Sequence, residues 1–350
     1  NALAPHILGY LDGEGKAANV KEWNHSSRDT ATFSVSKNGT PIRNQLDNAD
    51  LNYYMKDKVT YLSRENWDST FPARFRLEAN EAMIKELRNK TVEVSQDDRV
   101  STKWGIDHEI TLGAMKGVKF DDPRWKDFLE QITLHEAIHI IAVGGNTTWT
   151  LKSIQNPAGK QADGPNGFNS VTLGQMVHKD SPIYAESQKE EHKGYSFNTT
   201  PNAPILAATF DKTVLADYGK QLGNMSLWTG GPSIWAGGAN QHRAPYEGRT
   251  HEYFSEDPIL SAYCLLEMVD KALDYGCLVG PKHFAFNAIE YNRYGLSEFM
   301  TEQTARETEL RCFQKAFESG RCLAVMTAFN RIGASYINGH QGLMQNILRR

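Results

Sequence analysis

Two stretches of the chain carry side chains whose kind and order suggest reactivity. His135-Glu136-Ala137-Ile138-His139 places two imidazoles one helical turn apart with a glutamate beside the first. In that arrangement the histidines bind zinc and the glutamate serves as general base. A zinc site needs a third protein ligand, and the continuation IIAVGGNTTW supplies no histidine at the extended spacing, although a distant glutamate would serve. The other reading is an amphipathic helix whose polar positions are histidine. The second stretch, ANQHRAPYEGRTHEYFSEDP from Ala239 to Pro258, is the densest cluster of ionisable and turn residues. It belongs to a set of four polar loops: QADGPNGFNS with Asp163, NQHRAPYEGR with Arg243 and Arg249, PKHFAFNAIEYNR with Lys282 and His283, and MTAFNRIGASYINGH with Met326. An acid, guanidinium groups, an ammonium and an imidazole around one cavity suit a polyhydroxylated neutral ligand, whose hydroxyls need partners of both charges to be oriented. A sugar is such a ligand.

For these loops to converge, a sheet must fix their ends. From about Trp125 helical and strand-like patterns alternate. WKDFLEQITLHEAIHIIAVGG spaces Phe128, Leu129, Ile132, Ile138 and Ile141 at mixed intervals of three and four and stops at Gly144-Gly145, which predicts helices ended by a glycine cap. Strand-like apolar runs follow at PILAATF, SIWAGGA, CLVGPKHFAF and LAVMTAF. Between the last two, Met300, Leu310, Phe313 and Phe317 form a helical stripe closed by Gly320. Short apolar strands separated by helices predict parallel βα units, hence an α/β barrel or a doubly wound sheet. In a barrel the loops after the strand C-termini hold the site. The first hundred residues differ. DTATFSVSKNG alternates and turns at Asn38-Gly39, predicting a β-hairpin, and within the Asn-, Asp- and Tyr-rich stretch beyond it only KVTYLS reads as a strand. The expected organisation is a β-rich module and irregular lead-in over 1–100, then an α/β domain over 101–350. KDSPIYAESQKEEHKGYSFN, from Lys179 to Asn198, reads as a surface insertion loop.

Composition bounds the rest. The 350 residues are 40% hydrophobic and 23% charged, and 38 Lys and Arg against 42 Asp and Glu give a net charge of −4, with a mean hydropathy of −0.54. This is a folded chain with no basic face for a polyanion, so no nucleic-acid partner is expected. No run approaches the roughly 18 apolar residues of a membrane helix, and no basic segment followed by an apolar run opens the chain, so no membrane partner and a cytoplasmic location are expected. Cys264, Cys277, Cys312 and Cys322 lie within or beside apolar segments without CxxC spacing and are expected to be reduced core residues.

The segments WKDFLEQITLHEAIHIIAVGG, QADGPNGFNS, HRAPYEGRTHEYFSEDPIL, KHFAFNAIEYNR, FMTEQTARETELRCFQKAFESG and AVMTAFNRIGA, in that order, resemble the N-terminal barrel domain of glycoside hydrolase family 3, the β-glucosidases and their relatives. The likeness covers roughly Trp125 to Arg350. VTYLSRENWDSTFP further resembles the segment before the barrel in members of reversed domain order. The resemblance implies a (β/α)8 TIM-like barrel, incomplete in this chain at about five strands, and retaining hydrolysis of terminal β-linked glucose or xylose through a covalent glycosyl-enzyme. It implies that Asp163 holds the far hydroxyls of the sugar, that Arg249 and Arg243 match the family's arginines, that Lys282 and His283 bind hydroxyls beside the reacting carbon, and that Met326 occupies an apolar wall position. A turn aspartate at Asp163, a surface salt bridge at Arg243 and a snorkelling lysine at Lys282 are the plainer alternatives. The helix bearing HEAIH matches a structural helix of the barrel, so no metal and no cofactor are expected. The β-N-acetylglucosaminidases of the family continue KHF with Pro-Gly-His-Gly, whereas this chain has AFN.

Two departures stand out. The family usually continues KHF with Asn-Asp-Gln-Glu, and here Asn287-Ala288-Ile289-Glu290 offers Ala288 and Ile289 in place of polar side chains, which would suit a catalytically impaired sugar-binding homologue. Retaining hydrolysis also needs two carboxylates about 5.5 Å apart. By the resemblance the nucleophile is expected beyond Arg350 and the acid/base residue in a sandwich domain before Asn1. The expected partners are therefore a β-glycoside or oligosaccharide and the remaining polypeptide of the same enzyme. If both carboxylates lay inside the chain, Glu247, Glu252, Asp257 and Glu290 would be the candidates.

Overall fold

Short apolar runs enter the central sheet in chain order. The computed structural model describes residues 43–55, 59–61, 76–88, 103–145, 147–168 and 172–349. The chain divides into Asn1–Gln45 and Leu46–Arg350, and the elements below belong to the second unit. The hairpin expected at Asn38-Gly39 lies outside the described residues, as does half of KVTYLS, of which Val59–Tyr61 form no strand.

Apart from single-turn helices, the first elements are α1 (Glu81–Leu87), α2 (Arg124–Glu130) and α3 (Leu134–Val143). The glycine-capped helical stretch expected from Trp125 is thus two helices, and α3 hands over to Gly144 as expected. Strand β1 (Thr147–Thr148) pairs antiparallel with β2 (Gly159–Asp163). Beyond β2 the sheet is parallel: β2 pairs with β3 (Ser233–Trp235), with Asp163 opposite Trp235, and β3 pairs with β4 (Leu278–Val279). The progression continues past β4, where Phe284 bridges Thr327 in parallel and its N–H donates to the Met326 carbonyl at 2.8 Å. Among the described residues, four consecutive chain segments thus lie side by side, with helices α4 (Ala203–Ala207), α5 (Lys212–Thr229), α6 (Pro258–Leu273), α7 (Glu302–Glu307) and α8 (Arg311–Glu318) in the connections. Parallel strands in sequence order with helical crossovers are the progression of a β/α barrel. A second, small sheet joins β5 (Ser297–Glu298), β6 (Arg331–Ile332) and β7 (Ser335–Tyr336).

Local chemistry sets the helix ends. Asp211 caps α5 by accepting from the Thr213 N–H, and Asp257 caps α6 by accepting from Ile259 and Leu260, with Pro258 at the first helical position. Gly230, at φ 64°, stops α5. Helix α6 buries Ala262, Cys264, Leu265, Met268, Val269 and Ala272, a stripe at intervals that place them on one face. Its partner α5 approaches closely because position 219 is glycine: a Cβ there would stand 2.4 Å from the Met268 carbonyl oxygen. All four cysteines are free, and three are buried.

The structure corrects three readings. PILAATF is helix α4 and not a strand, because Pro204 sits in its first turn, where a missing N–H costs nothing, and the apolar run serves to bury Ala203, Leu206 and Ala207. The parallel strand that precedes it is GKQAD, polar except for the buried Ala162 and therefore invisible to an apolar pattern. The stripe from Ser297 to Gly320 is broken at Thr308 into α7 and α8. The Lys179–Asn198 stretch holds a single-turn helix, Tyr184–Ser187, laced by Lys189–Glu186 at 2.7 Å. No helix of the described residues is long and apolar enough to cross a membrane.

Candidate functional site

Three consecutive strand ends meet in a chain of charges. Asp163 is the last residue of β2, and Lys282 follows β4, where its backbone N–H donates to the Gly237 carbonyl at 3.2 Å and its carbonyl accepts from Ala239 at 2.9 Å. The Lys282 ammonium lies 2.7 Å from Asp163 Oδ1 and 3.9 Å from Glu252 Oε2. The Lys282 side chain is 2% exposed, whereas that of Asp163 is 54% exposed. The ammonium therefore depends on these carboxylates instead of water, while the Asp163 side chain reaches the surface. Glu252 reaches Lys282 because the β3 exit runs against its backbone: a Cβ at Gly238 would be 2.2 Å from the Glu252 carbonyl, and only glycine allows that approach.

Arg249 extends the chain outward. It pairs with Glu252 and lies 3.6 Å from Glu290, which Arg293 also holds, at 2.7 Å. His283 lies behind this line, 3% exposed. Asn240 clamps its backbone, accepting from the His283 N–H at 2.6 Å and donating to its carbonyl at 3.0 Å. Its ring Nδ1 is 3.0 Å from the Tyr253 hydroxyl, which accepts from Asn287 Nδ2 at 2.7 Å. Burial pushes the imidazole down to about 2, with the cations Arg249, Lys282 and Arg293 acting the same way, so His283 is neutral. Although Ala288 and Ile289 stand where the family usually has polar side chains, His283 is held by Asn240 and Tyr253, with Asn287 behind Tyr253. Ala288 is buried and offers its backbone N–H to Glu298 Oε1 at 3.1 Å.

Asp163, Arg249, Lys282 and His283 thus come together. Arg243 does not join them: its guanidinium binds the buried Glu309 at 3.0 Å, and its backbone N–H donates to Glu247 at 2.9 Å. Met326 is half-buried in the next segment, with its carbonyl and N–H tied to Phe284 and Pro281. Beside Arg243 lies a set of buried carboxylates. Burial, then the charge of Glu309, pushes Glu298 up to about 8, and burial raises Glu247 and Glu309 as well. Sequence reasoning did not assign Glu298, Glu309, Asn240 or Tyr253; Tyr253 was in view as part of the EYF triplet, but no spacing rule singles it out.

The glutamate of HEAIH has structural work. Glu136 closes a capping box with Thr133 and accepts from Ser153 Oγ at 2.7 Å. Burial alone would raise its carboxyl, yet the hydrogen bonds from Thr133 and Ser153 outweigh it and hold it at about 2. His139 packs edge-on against Trp149, with ring centroids 4.5 Å apart.

Residues 175–350 match the family described as glycosyl hydrolase family 3 N-terminal domain. The chain belongs to glycosyl hydrolase family 3. It is 29% identical over 226 residues to a β-glucosidase of Rhizobium radiobacter, covering 64% of this chain and 25% of that protein, and 28% identical over 234 residues to β-glucosidase B of Emericella nidulans, covering 66% and 25%. Among solved structures it is similar to β-glucosidase 3B from Thermotoga neapolitana in complex with α-D-glucose, with a TM-score of 0.55, 27% identity, and coverage of 65% of this chain and 32% of that one. The chain therefore spans about a quarter of the length of the curated relatives it matches. The TIM-barrel-like α/β fold of the family's N-terminal domain accounts for the parallel strands in sequence order.

Proposed function

We propose that this chain supplies the glucose-binding part of a retaining β-glucosidase-type enzyme that releases terminal β-linked glucose or xylose. The single observation that carries this reading is the Lys282 ammonium, buried at the strand ends and held 2.7 Å from a half-exposed Asp163. A vicinal diol can bridge such a pair, one hydroxyl donating to the carboxylate and the other accepting from the ammonium. Neutral His283 offers a nitrogen as a further hydroxyl partner, and Arg249, paired with Glu252, lies beside them. These groups bind and orient the sugar ring, which is the positioning share of the rate enhancement.

The bond-breaking carboxylates are a separate matter. Glu252 is engaged by Arg249 and Lys282, and Glu290 by Arg293, Arg249 and Asn287. Carboxylates so engaged are committed to ion pairs and hydrogen bonds within the chain. The reading therefore assigns nucleophile and acid/base roles to other parts of the enzyme, in keeping with a chain that spans about a quarter of the length of the curated relatives it matches. Glucose titrated into the chain, followed by ligand-observed NMR, tests it. Binding is expected to weaken at least about tenfold in Lys282→Ala and in Asp163→Ala, since each charged hydrogen bond contributes about 1.5–3 kcal/mol. Undiminished binding in both variants would sink the assignment. The chain alone is expected not to turn over a chromogenic β-glucoside; turnover would place both carboxylates within it and return attention to Glu247, Glu252, Asp257 and Glu290.

A further inference from the structure

Outside the sugar site, a histidine and two carboxylates converge on one face of α2. Asp127 and Glu130 are three residues apart on that helix, hence neighbours on its surface, and His108 comes from the loop before it. One ligand atom from each lies within 4.8 Å of the others, and His108 Nε2 is 3.5 Å from Glu130 Oε2. The loop is held firmly. Gln131, 3% exposed, accepts from the backbone N–H groups of His108 at 3.0 Å and Ile110 at 2.9 Å, and donates to the Ile110 carbonyl at 2.7 Å.

A second observation points to a ligand. His108 Nε2 is buried and has no hydrogen-bond partner among the described residues, although it faces the carboxylates. Without a hydrogen bond, that nitrogen has only its 3.5 Å contact with Glu130 Oε2. A metal would satisfy it. Lys126 lies 3.5 Å from Glu130 Oε1, the other oxygen of that carboxylate, so Oε2 is the one turned toward the imidazole.

We propose that His108, Asp127 and Glu130 form a zinc-type divalent metal site. Zinc ligands sit about 2.0–2.2 Å from the ion and so about 3.3–3.6 Å from one another in a tetrahedron, which small side-chain rotations reach from the observed separations. The imidazole nitrogen selects a borderline first-row metal over calcium or magnesium, which prefer all-oxygen shells. Water completes the coordination. The role is structural: this region's core is a small cluster of Met115, Phe128, Leu151 and Ile154 separate from the main one, and the metal would tie the His108 loop to the helix that carries Phe128. The site is distinct from HEAIH, whose glutamate is taken up by Thr133 and Ser153.

The test is calorimetric titration of zinc chloride into the 350-residue chain after chelator dialysis, paired with thermal melts. One equivalent of zinc should bind and raise the melting temperature, and His108→Ala and Asp127→Asn should each weaken binding by more than about 100-fold, beyond what loss of a supporting group costs. The double variant His135→Ala/His139→Ala should still bind one equivalent. Glu130→Gln provides the same readout should one of the other variants fold poorly. The proposal is overturned if no zinc binds, if His108→Ala and Glu130→Gln bind as the parent does, if uptake is lost only in the HEAIH double variant, or if calcium or magnesium competes on equal terms.

Discussion

Replacing Glu298 with glutamine should lessen a loss of stability that the native chain suffers as pH rises above 6.5. Burial, followed by the charge of Glu309, pushes the Glu298 carboxyl from 4.5 up to about 8. Between those values the folded chain keeps a proton that the unfolded chain has released, so this group's contribution is complete below pH 4.5 and is lost as pH rises toward 8. His283 acts in the opposite sense. Its imidazole is held down to about 2 against an ordinary 6.5, so its contribution is complete above 6.5 and is lost as pH falls below it. Each slope is about 1.4 kcal/mol per pH unit, so the two nearly cancel between about pH 4.5 and 6.5. Above 6.5 only the carboxylates act, and the remaining stretch to pH 8 amounts to about 2 kcal/mol for Glu298. The upward shifts of Glu247 and Glu309 act in the same direction. Urea unfolding at pH 6.5 and 8.0 reads this directly: with a slope of about 3 kcal/mol per molar, the midpoint should fall by about 0.7 M. Glu298→Gln keeps an oxygen for the Ala288 N–H and carries no charge, so its midpoint should fall by clearly less than the native chain's, what remains coming from Glu247 and Glu309, and at pH 8.0 it should exceed that of the native chain. A native chain as stable at pH 8.0 as at 6.5, or a glutamine variant that loses as much, would refute the reasoning.

Other outcomes follow from single contacts. Lys282→Met should weaken glucose binding at least about tenfold while costing under about 2 kcal/mol of stability, because Asp163 is half-exposed and water can replace the ammonium; equal losses in both measurements would argue for a purely structural lysine. Glu136→Ala removes half of the α3 capping box and its bonds to Ser153, and should lower unfolding free energy by about 1–2 kcal/mol without changing glucose binding. Gly219→Ala should cost about 1–3 kcal/mol in denaturant unfolding, since its Cβ would meet the Met268 carbonyl at 2.4 Å and backbone cannot swing aside as a side chain can.

How much of this was legible in the sequence depends on where each signal resided. The order of polar loops was readable because strand ends impose it: Asp163, Arg249 and Lys282 lie far apart in the chain and meet only if their loops share one edge of a parallel sheet, which the alternation from Trp125 onward predicts. PILAATF misled because hydrophobicity alone does not separate a buried helix from a strand, and the proline in its first turn was the better cue. GKQAD was missed for the converse reason: a strand whose neighbour covers it needs one buried alanine, not a run of large residues. Arg243 shows a deeper limit. It shares a loop with Arg249, and sequence proximity suggested one shared duty, but the turn at Ala244–Gly248 sends the two guanidinium groups to different acids, Arg243 to Glu309 and Arg249 to Glu252. Glu309 could not have been found from periodicity, because it sits where α7 and α8 break, and a charged residue at a helix junction reads as solvent-facing. Yet with Glu309 buried beside Glu298 and Arg243 ion-paired to it, that loop turn decides which carboxylates line the strand ends with Lys282 and which belong to the buried acid cluster. Arg243 serves as the counterion of the acid cluster around Glu309, and its loss should be felt in the pH dependence of stability.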